Sequence, residues 1–585
     1  MLARIMRQLR VRSGWSRTTF LAAGFGLILP ACGDDGGGGG GSEDGTGGGS
    51  ADDGGGTADD GGTADGGTAD DTGGDDAVGD IEPVPGGMRR LLSTEYVNSV
   101  ELMLGVEAAA AADPPDDVAQ GGWDAVGNAV LSLAAEPVED YEFTGTQIAI
   151  ATVANRATLA ATVPCVTEGS ADSSCYEAVA TDLGRFAFRR DLTDDEVTAL
   201  VEIAEEGRAF GEGDWGTGLK YELMAILQAP SFVYISEIGE ETDGEYRLLT
   251  GGELATRMSM FLLGRTPDLA LLDAADAGEL DTEDGIREWA EAMLASSEAR
   301  VASENFFDEY LRLRFLATLP KSQDIFPAFS ESLAASMRQE TLLLVNDIVW
   351  QNDGDYRDLF DADYTYVDAE LAALYGLPAP GGPGFERVDW PEGQGRAGVL
   401  SQASFLSLQS GPLHNSPTKR GKFVQSTLLC TVIEPPPPGT NVELPEAMPG
   451  ETLREQLSVH MKEPSCAACH AVTDPPGFAF EFYDAIGRYR TMDNGGEIDA
   501  SGSIEGLGEW NSAAELGTLI AESPKMSVCA VQNVIAGNLG FLVTPGIASG
   551  VLDLDAAFAD ADYSLQTMMV ELAASPLFRY VDAPK

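Results

Sequence analysis

The sequence predicts a mainly α, multi-domain helical body, on three observations. Capping signals stand directly before apolar runs: Thr193-Asp194-Asp195-Glu196 precedes VTALVEIAEEG, and Thr250 with Glu253 precedes LATRMSMFLLG, which stops at Gly264. Apolar residues recur at helical spacing at Ile286, Trp289 and Met293, at Phe306, Phe307, Tyr310 and Leu311, and at Leu333, Met337, Leu344 and Ile348. Strand-like alternation is scarce. The Met and aromatic stripes read as core, not as cofactor boxes.

The elements begin with an export signal. Arg4, Arg7, Arg10, Arg12 and Arg17 precede an apolar run, FLAAGFGLIL, at 20–29, with no acid in residues 1–20. That run is too short to span a bilayer comfortably and has the layout of a secretory leader. It ends in Leu29-Pro30-Ala31-Cys32, which resembles a bacterial lipobox, a signal cut before a cysteine that is then lipidated. The expectation is membrane attachment through a lipid on Cys32; the competing reading is a plain leader with an incidental cysteine. Residues 33–80 are mostly Gly, Asp, Ala and Thr, with GGTAD recurring at 61–65 and 66–70 and no aromatic residue, Lys or Arg. Such a segment buries too little apolar surface to offset its ordering entropy and is expected to be a disordered tether.

Charge narrows the partners. The chain of 585 residues carries 95 Asp plus Glu against 35 Lys plus Arg, a net charge of −60. Such a field repels nucleic acid and anionic lipid and draws in basic partners. An acidic, lysine-poor surface fits salty water equally well, where charge is screened.

Seven cysteines sort by position. Cys32 is the lipidation candidate. Cys466 and Cys469 fall in a motif of their own. Cys165 and Cys175, with Cys430 and Cys529, remain as an even set, expected to form the disulfides 165–175 and 430–529 in an oxidising compartment.

The motif is EPSCAACHAVTDPPG at 463–477: Cys466, Cys469 and His470 make a C-x-x-C-H, the pattern of covalent c-type haem attachment. Each thiol adds to a vinyl group, and the adjacent His470 reaches the iron. A zinc site needs two further ligands nearby, and no second C-x-x-C exists. An Nδ1–H partner for His470 is expected, a backbone carbonyl, for which the apparent turn Asp474-Pro475-Pro476-Gly477 is one source. The sixth ligand is left open among His460, Met461, Met492, Met526 and a vacant position. Arg488 and Arg490 are candidate propionate partners. Lys419, Arg420 and Lys422 form a rare basic cluster, read either as a clamp for a propionate or partner carboxylate or as ordinary pairing with nearby acids.

The chain then divides into a signal peptide and lipobox (1–32), the tether (33–80), an N-terminal helical domain (81–160), a helical domain with a candidate disulfide (161–240), a central helical domain (241–375), a domain ending in the stiff connector Pro435–Pro438 (376–440), a c-type haem-binding segment (441–510) and a C-terminal helical domain (511–585).

Seven stretches carry a resemblance: RRLLSTEYVNSVELMLGV (89–106), FAFRRDLTDDE (186–196), ELATRMSMFLLGRTPD (253–268), LAALYGL (371–377), GVLSQASFLSL (398–408), SPTKRGKFV (416–424) and CAACHAVTDPPGFAFEFYDAIGRYR (466–490). Through them the chain resembles a family of large bacterial exported proteins built from consecutive domains of unknown function with a planctomycete-type cytochrome-c-like haem segment. It departs from that family at AGNLGF (536–541), where an alanine-leucine-glycine-arginine helix end is usual, and at Pro476, where leucine is usual. The resemblance implies an exported haem-bearing protein whose substrate is not established.

With one covalent haem c, the expected role is electron transfer to a redox partner in the cell envelope, on its periplasmic or cell-surface face. The alternatives are an envelope enzyme, either a haem oxidoreductase or a processor of an extracellular polymer, and a structural lipoprotein in which haem is a covalent staple. No G-x-S-x-G, H-E-x-x-H or Walker pattern is present.

Overall fold

The computed structural model describes residues 82–582, apart from 83, 133, 170–171, 242–245, 353, 434–447 and 461–463. The leader, Cys32, the tether, the tetraproline connector and Met461 lie outside the described residues. Within them the chain is mainly α, with 26 α-helices and a few short strands.

Strand β1 (Gly87–Arg90) pairs antiparallel with β2 (Tyr234–Glu237), Arg90 opposite Tyr234, and this closes the first helical segment onto the second. Between the two strands run α1 (Ser93–Leu104), α2 (Ala135–Ala154), α3 (Asp194–Phe210) and α4 (Trp215–Leu227). Helix α3 starts at its capping box: Thr193 accepts from the Glu196 amide and the Glu196 carboxylate accepts from the Thr193 amide. After β3 (Tyr246–Leu248), α5 (Gly251–Leu263) opens on the same reciprocal bonds at Thr250 and stops at Gly264, whose φ of 61° suits glycine. Helices α6 (Glu283–Leu294), α7 (Ser297–Tyr310) and α8 (Glu331–Val345) bury Ile286, Met293, Phe307, Tyr310, Leu333, Met337 and Leu344, the stripes read from their spacing.

A hairpin of β4 (Tyr364–Val367) and β5 (Glu386–Asp389) leads to α9 (Ala403–Leu408) and α10 (Pro417–Phe423), then to α11 (Leu453–His460), α12 (Pro464–Phe478) and α13 (Pro524–Leu539). The last strand, β6 (Tyr580–Asp582), returns to β3, Tyr580 opposite Leu248. One apolar core runs from Leu249 to Val581 and takes in Val84, Trp123 and Val126, whereas the other apolar residues buried between Leu91 and Ile235, such as Tyr96, Ile148, Leu183, Leu219 and Phe232, lie outside it.

Both expected disulfides are present, Cys165–Cys175 and Cys430–Cys529. They indicate an oxidising, extracellular or periplasmic environment. Among the described residues no helix is long and apolar enough to cross a membrane.

Two arginines of the body serve as staples for main-chain oxygens. Arg189, held at φ 61°, donates to the carbonyls of Ser231, Phe232 and Tyr234. Arg420 does the same further along the chain, as described below. By contrast, Glu222 on α4 is fully buried, and neither carboxylate oxygen has a hydrogen-bond partner. Burial pushes its carboxyl well above the ordinary range, favouring the protonated form. The stability it costs is absent below the unfolded carboxyl's range and grows as pH rises above it. Glu222→Met is therefore expected to raise stability by about 1–3 kcal/mol at pH 8 and by less at pH 5, measured by urea denaturation at both. No gain at pH 8 contradicts this.

Candidate functional site

The C-x-x-C-H lies on α12, which begins with Pro464 at its first position, where a missing amide proton costs nothing. Positions 466, 469 and 470 are related by i, i+3 and i+4, so Cys466, Cys469 and His470 share one stripe of the helix. Both cysteines are half-buried.

The same stripe continues to Asp474. His470 Nδ1 lies 2.8 Å from Asp474 Oδ2, one turn further on. Asp474 is fully buried, and its other oxygen accepts from Thr418 at 2.8 Å and from Thr473 at 3.2 Å. A carboxylate can only accept from this ring nitrogen, so Nδ1 carries a proton; in the neutral ring the lone pair is then on Nε2. The expected backbone-carbonyl partner is thus replaced by a side-chain carboxylate. The expected turn at 474–477 is the last turn of a helix: Pro475 and Pro476 lie inside α12. They remove the amides that would reach carbonyls 471 and 472, a local cost that packing against α10 overrides.

That packing is close. A Cβ on Gly421 of α10 would fall 1.6 Å from the Thr473 carbonyl oxygen, and one on Gly477 of α12 would fall 1.9 Å from that of Pro417. The helices cross backbone to backbone, and Thr418 reaches Asp474 across the crossing.

Arg420, also on α10, is wholly buried. Its guanidinium donates to the carbonyls of Leu406, Phe480, Tyr483 and Asp484 and to the Ser410 hydroxyl, with Glu481 3.8 Å away. Pairing with a nearby acid, one of the two expectations for the basic cluster, describes Arg420 only in part: it meets Glu481, but its main partners are main-chain oxygens. Burial pushes its pKa down to about 10, Glu481 opposing. Lys419 and Lys422 point elsewhere. With Arg312, Phe315, Leu319, Leu408, Gln409, Phe423 and Ser426 they line a cavity of about 390 Å³.

The other candidates separate. Arg490 is committed to Glu481 at 2.9 Å and Asp493 at 2.6 Å. Arg488 is exposed and enters no ion pair among the described residues; its amide donates to Asp484. His460 is the last residue of α11. Met492 is half-exposed in a short strand, and Met526 is buried in α13. Among the described residues no group of three or more His, Cys, Asp or Glu is placed to hold a metal ion. Sequence reasoning missed Asp474 as the orienting group, although the H-x-x-x-D spacing was present to find it.

Four family models match the chain in order. Residues 89–154 match PSD3, a protein of unknown function (DUF1587); 175–237 match PSD5 (DUF1595); 249–377 match PSD4 (DUF1592); and 396–493, which contain both α10 and α12, match PSCyt3 (DUF1588), each also a protein of unknown function. No curated protein and no solved structure matches. These four consecutive matches are consistent with a family assembled from several domains of unknown function, of the planctomycete cytochrome-c-like type.

Proposed function

We propose that this protein is a lipid-anchored, monohaem c-type cytochrome-like carrier that passes electrons in the cell envelope. The observation that carries the reading is the stripe on α12: two thiols one turn apart, followed by a histidine held by a buried carboxylate. The residues fit the group. Cys466 and Cys469 would hold it through thioethers, and His470 would present Nε2, the ring nitrogen not engaged when Nδ1–H donates to Asp474. A bound haem c supplies one-electron chemistry.

The chain's own residues set the conditions. Asp474 fixes the imidazole's orientation, and a carboxylate in that position would strengthen His470 as a ligand once iron is bound. Thr418 and Thr473 hold Asp474 in turn. Arg488, exposed on the segment that follows α12, is retained as the propionate candidate. His460 is retained as a candidate sixth ligand; Arg490 as a propionate partner would have to leave Glu481 and Asp493. Cys32 would anchor the chain to the membrane, and the net charge of −60 favours a basic redox partner and disfavours nucleic acid.

The test is mass measurement and visible spectroscopy of chain made in a host with c-type maturation machinery. The expected result is one covalent haem on the wild type and none on Cys466→Ala/Cys469→Ala; an unchanged mass in the double variant refutes the assignment. Asp474→Asn is expected to raise the reduction potential by tens of millivolts, because a less basic imidazole stabilises Fe(III) less. A haem that does not titrate between oxidation states identifies a structural staple, and carbon monoxide binding identifies an open iron site suited to an oxidoreductase.

A further inference from the structure

We propose that the cleft walled by Arg312, Phe315, Leu408, Lys419, Lys422 and Phe423 binds a small organic carboxylate with an apolar body. Its volume, about 390 Å³, lies in the range of small-molecule sites.

The charge argument is specific to this chain. Acids outnumber bases 95 to 35, and most of the described arginines pair with a carboxylate, although the isolated exposed bases Arg300, Arg488 and Lys525 do not. Nearby Arg314 pairs with Asp124, and Arg420 with Glu481, whereas Arg312, Lys419 and Lys422 enter no ion pair among the described residues. Three cations converge on one concavity and leave its positive potential uncancelled. Lys321 is buried and donates to the carbonyls of Ser407 and Gly411; its ammonium is pushed down to about 7, by burial first and then by Arg420 and the cleft's own Lys419.

The walls choose among anions. Phe315 is 50 % exposed, and Leu319, Leu408 and Phe423 complete an apolar lining that inorganic phosphate cannot use. Gln409 and Ser426 add polar groups suited to a carboxylate's oxygens. Arg312 has a left-handed backbone, φ 61°, a state that a non-glycine residue adopts at a cost of about 1 kcal/mol or more. Its guanidinium lies over the Phe423 ring at 5.8 Å. The sequence places the cleft beside the haem motif: α10 gives Lys419 and Lys422 to the cleft and Thr418 to Asp474.

The proposal stands without the haem reading, and its test separates the two. Full-length chain, made with and without haem, is titrated with 1-naphthoate by fluorescence and with the neutral 1-naphthamide as control. Saturable binding of the naphthoate is expected, about tenfold tighter than the amide, and weakened about tenfold by Lys419→Gln or Lys422→Gln. Both lysines are exposed. Unchanged melting temperatures for the two variants are the accompanying control. Binding that persists in the haem-loaded chain assigns the cleft to a free carboxylate; binding confined to the haem-free chain assigns it to a haem propionate. Equal affinity for acid and amide, indifference to both lysine variants, or no saturable binding overturns the proposal.

Discussion

Replacing Arg420 with methionine is expected to cost about 4 kcal/mol or more, one of the two largest single-residue losses predicted for this chain. The guanidinium is buried completely and meets four carbonyls, at 3.2 Å for Leu406, 2.8 Å for Phe480, 3.2 Å for Tyr483 and 2.9 Å for Asp484. It also meets Ser410 Oγ at 3.0 Å. Methionine fills much of the volume but returns none of these bonds, and each buried acceptor left unsatisfied costs about 1–3 kcal/mol. Glu481, whose carboxyl burial pushes upward, loses one of the two guanidinium charges beside it. Lysine is the informative second substitution. It keeps the charge, but three donors on one nitrogen cannot reach acceptors spread around a planar fork, so Arg420→Lys should recover less than half of the loss. Chemical denaturation of both variants measures this. A loss under about 1 kcal/mol for methionine would mean that water replaces the staple.

The same arginine shows where legibility in the sequence ends. Local rules reached the helices: the boxes at Thr193 and Thr250 begin α3 and α5, and Gly264 ends α5, because caps involve residues within one turn. Parity and compartment reached the disulfides. Arg420 was read among its sequence neighbours Lys419 and Lys422 and assigned a carboxylate. Its acceptors come from residues up to 64 positions away, on segments that only the tertiary fold brings together. Arg189 hid for the same reason: its acceptors lie at Ser231, Phe232 and Tyr234. At the candidate site the triplet was plain in sequence, but Asp-Pro-Pro-Gly carries the composition of a turn. Its helical state depends on α10, and nothing within four residues encodes that dependence.

The glycines at the α10–α12 crossing carry the other large expected effect. Neither Gly421 nor Gly477 has a positive φ, so an added methyl group meets no backbone prohibition, and helix propensity alone would favour alanine by about 0.5–1 kcal/mol. Distance reverses the sign. The Gly421 Cβ would stand 1.6 Å from Thr473 O and 2.9 Å from Gly477 N; the Gly477 Cβ would stand 1.9 Å from Pro417 O, 2.4 Å from its carbonyl carbon and 2.7 Å from its Cα. All of these are backbone atoms, so no side chain can rotate away, and one helix must move outward. Gly421→Ala and Gly477→Ala are each expected to lose about 3 kcal/mol or more, the upper end of overpacking costs. The double variant should lose less than the sum, since the first displacement makes room for the second. Gly381→Ala, with nothing within 4 Å of its Cβ, is the neutral control. The displacement also has a local readout. Thr418 and Asp474 face each other across this crossing at 2.8 Å, and Asp474 holds His470. Separating the helices should loosen the imidazole and lower the fraction of chain that acquires haem, even at temperatures where the fold survives. Stabilities within about 0.5 kcal/mol of wild type, with undiminished haem content, would show that the crossing is looser than its backbone distances state.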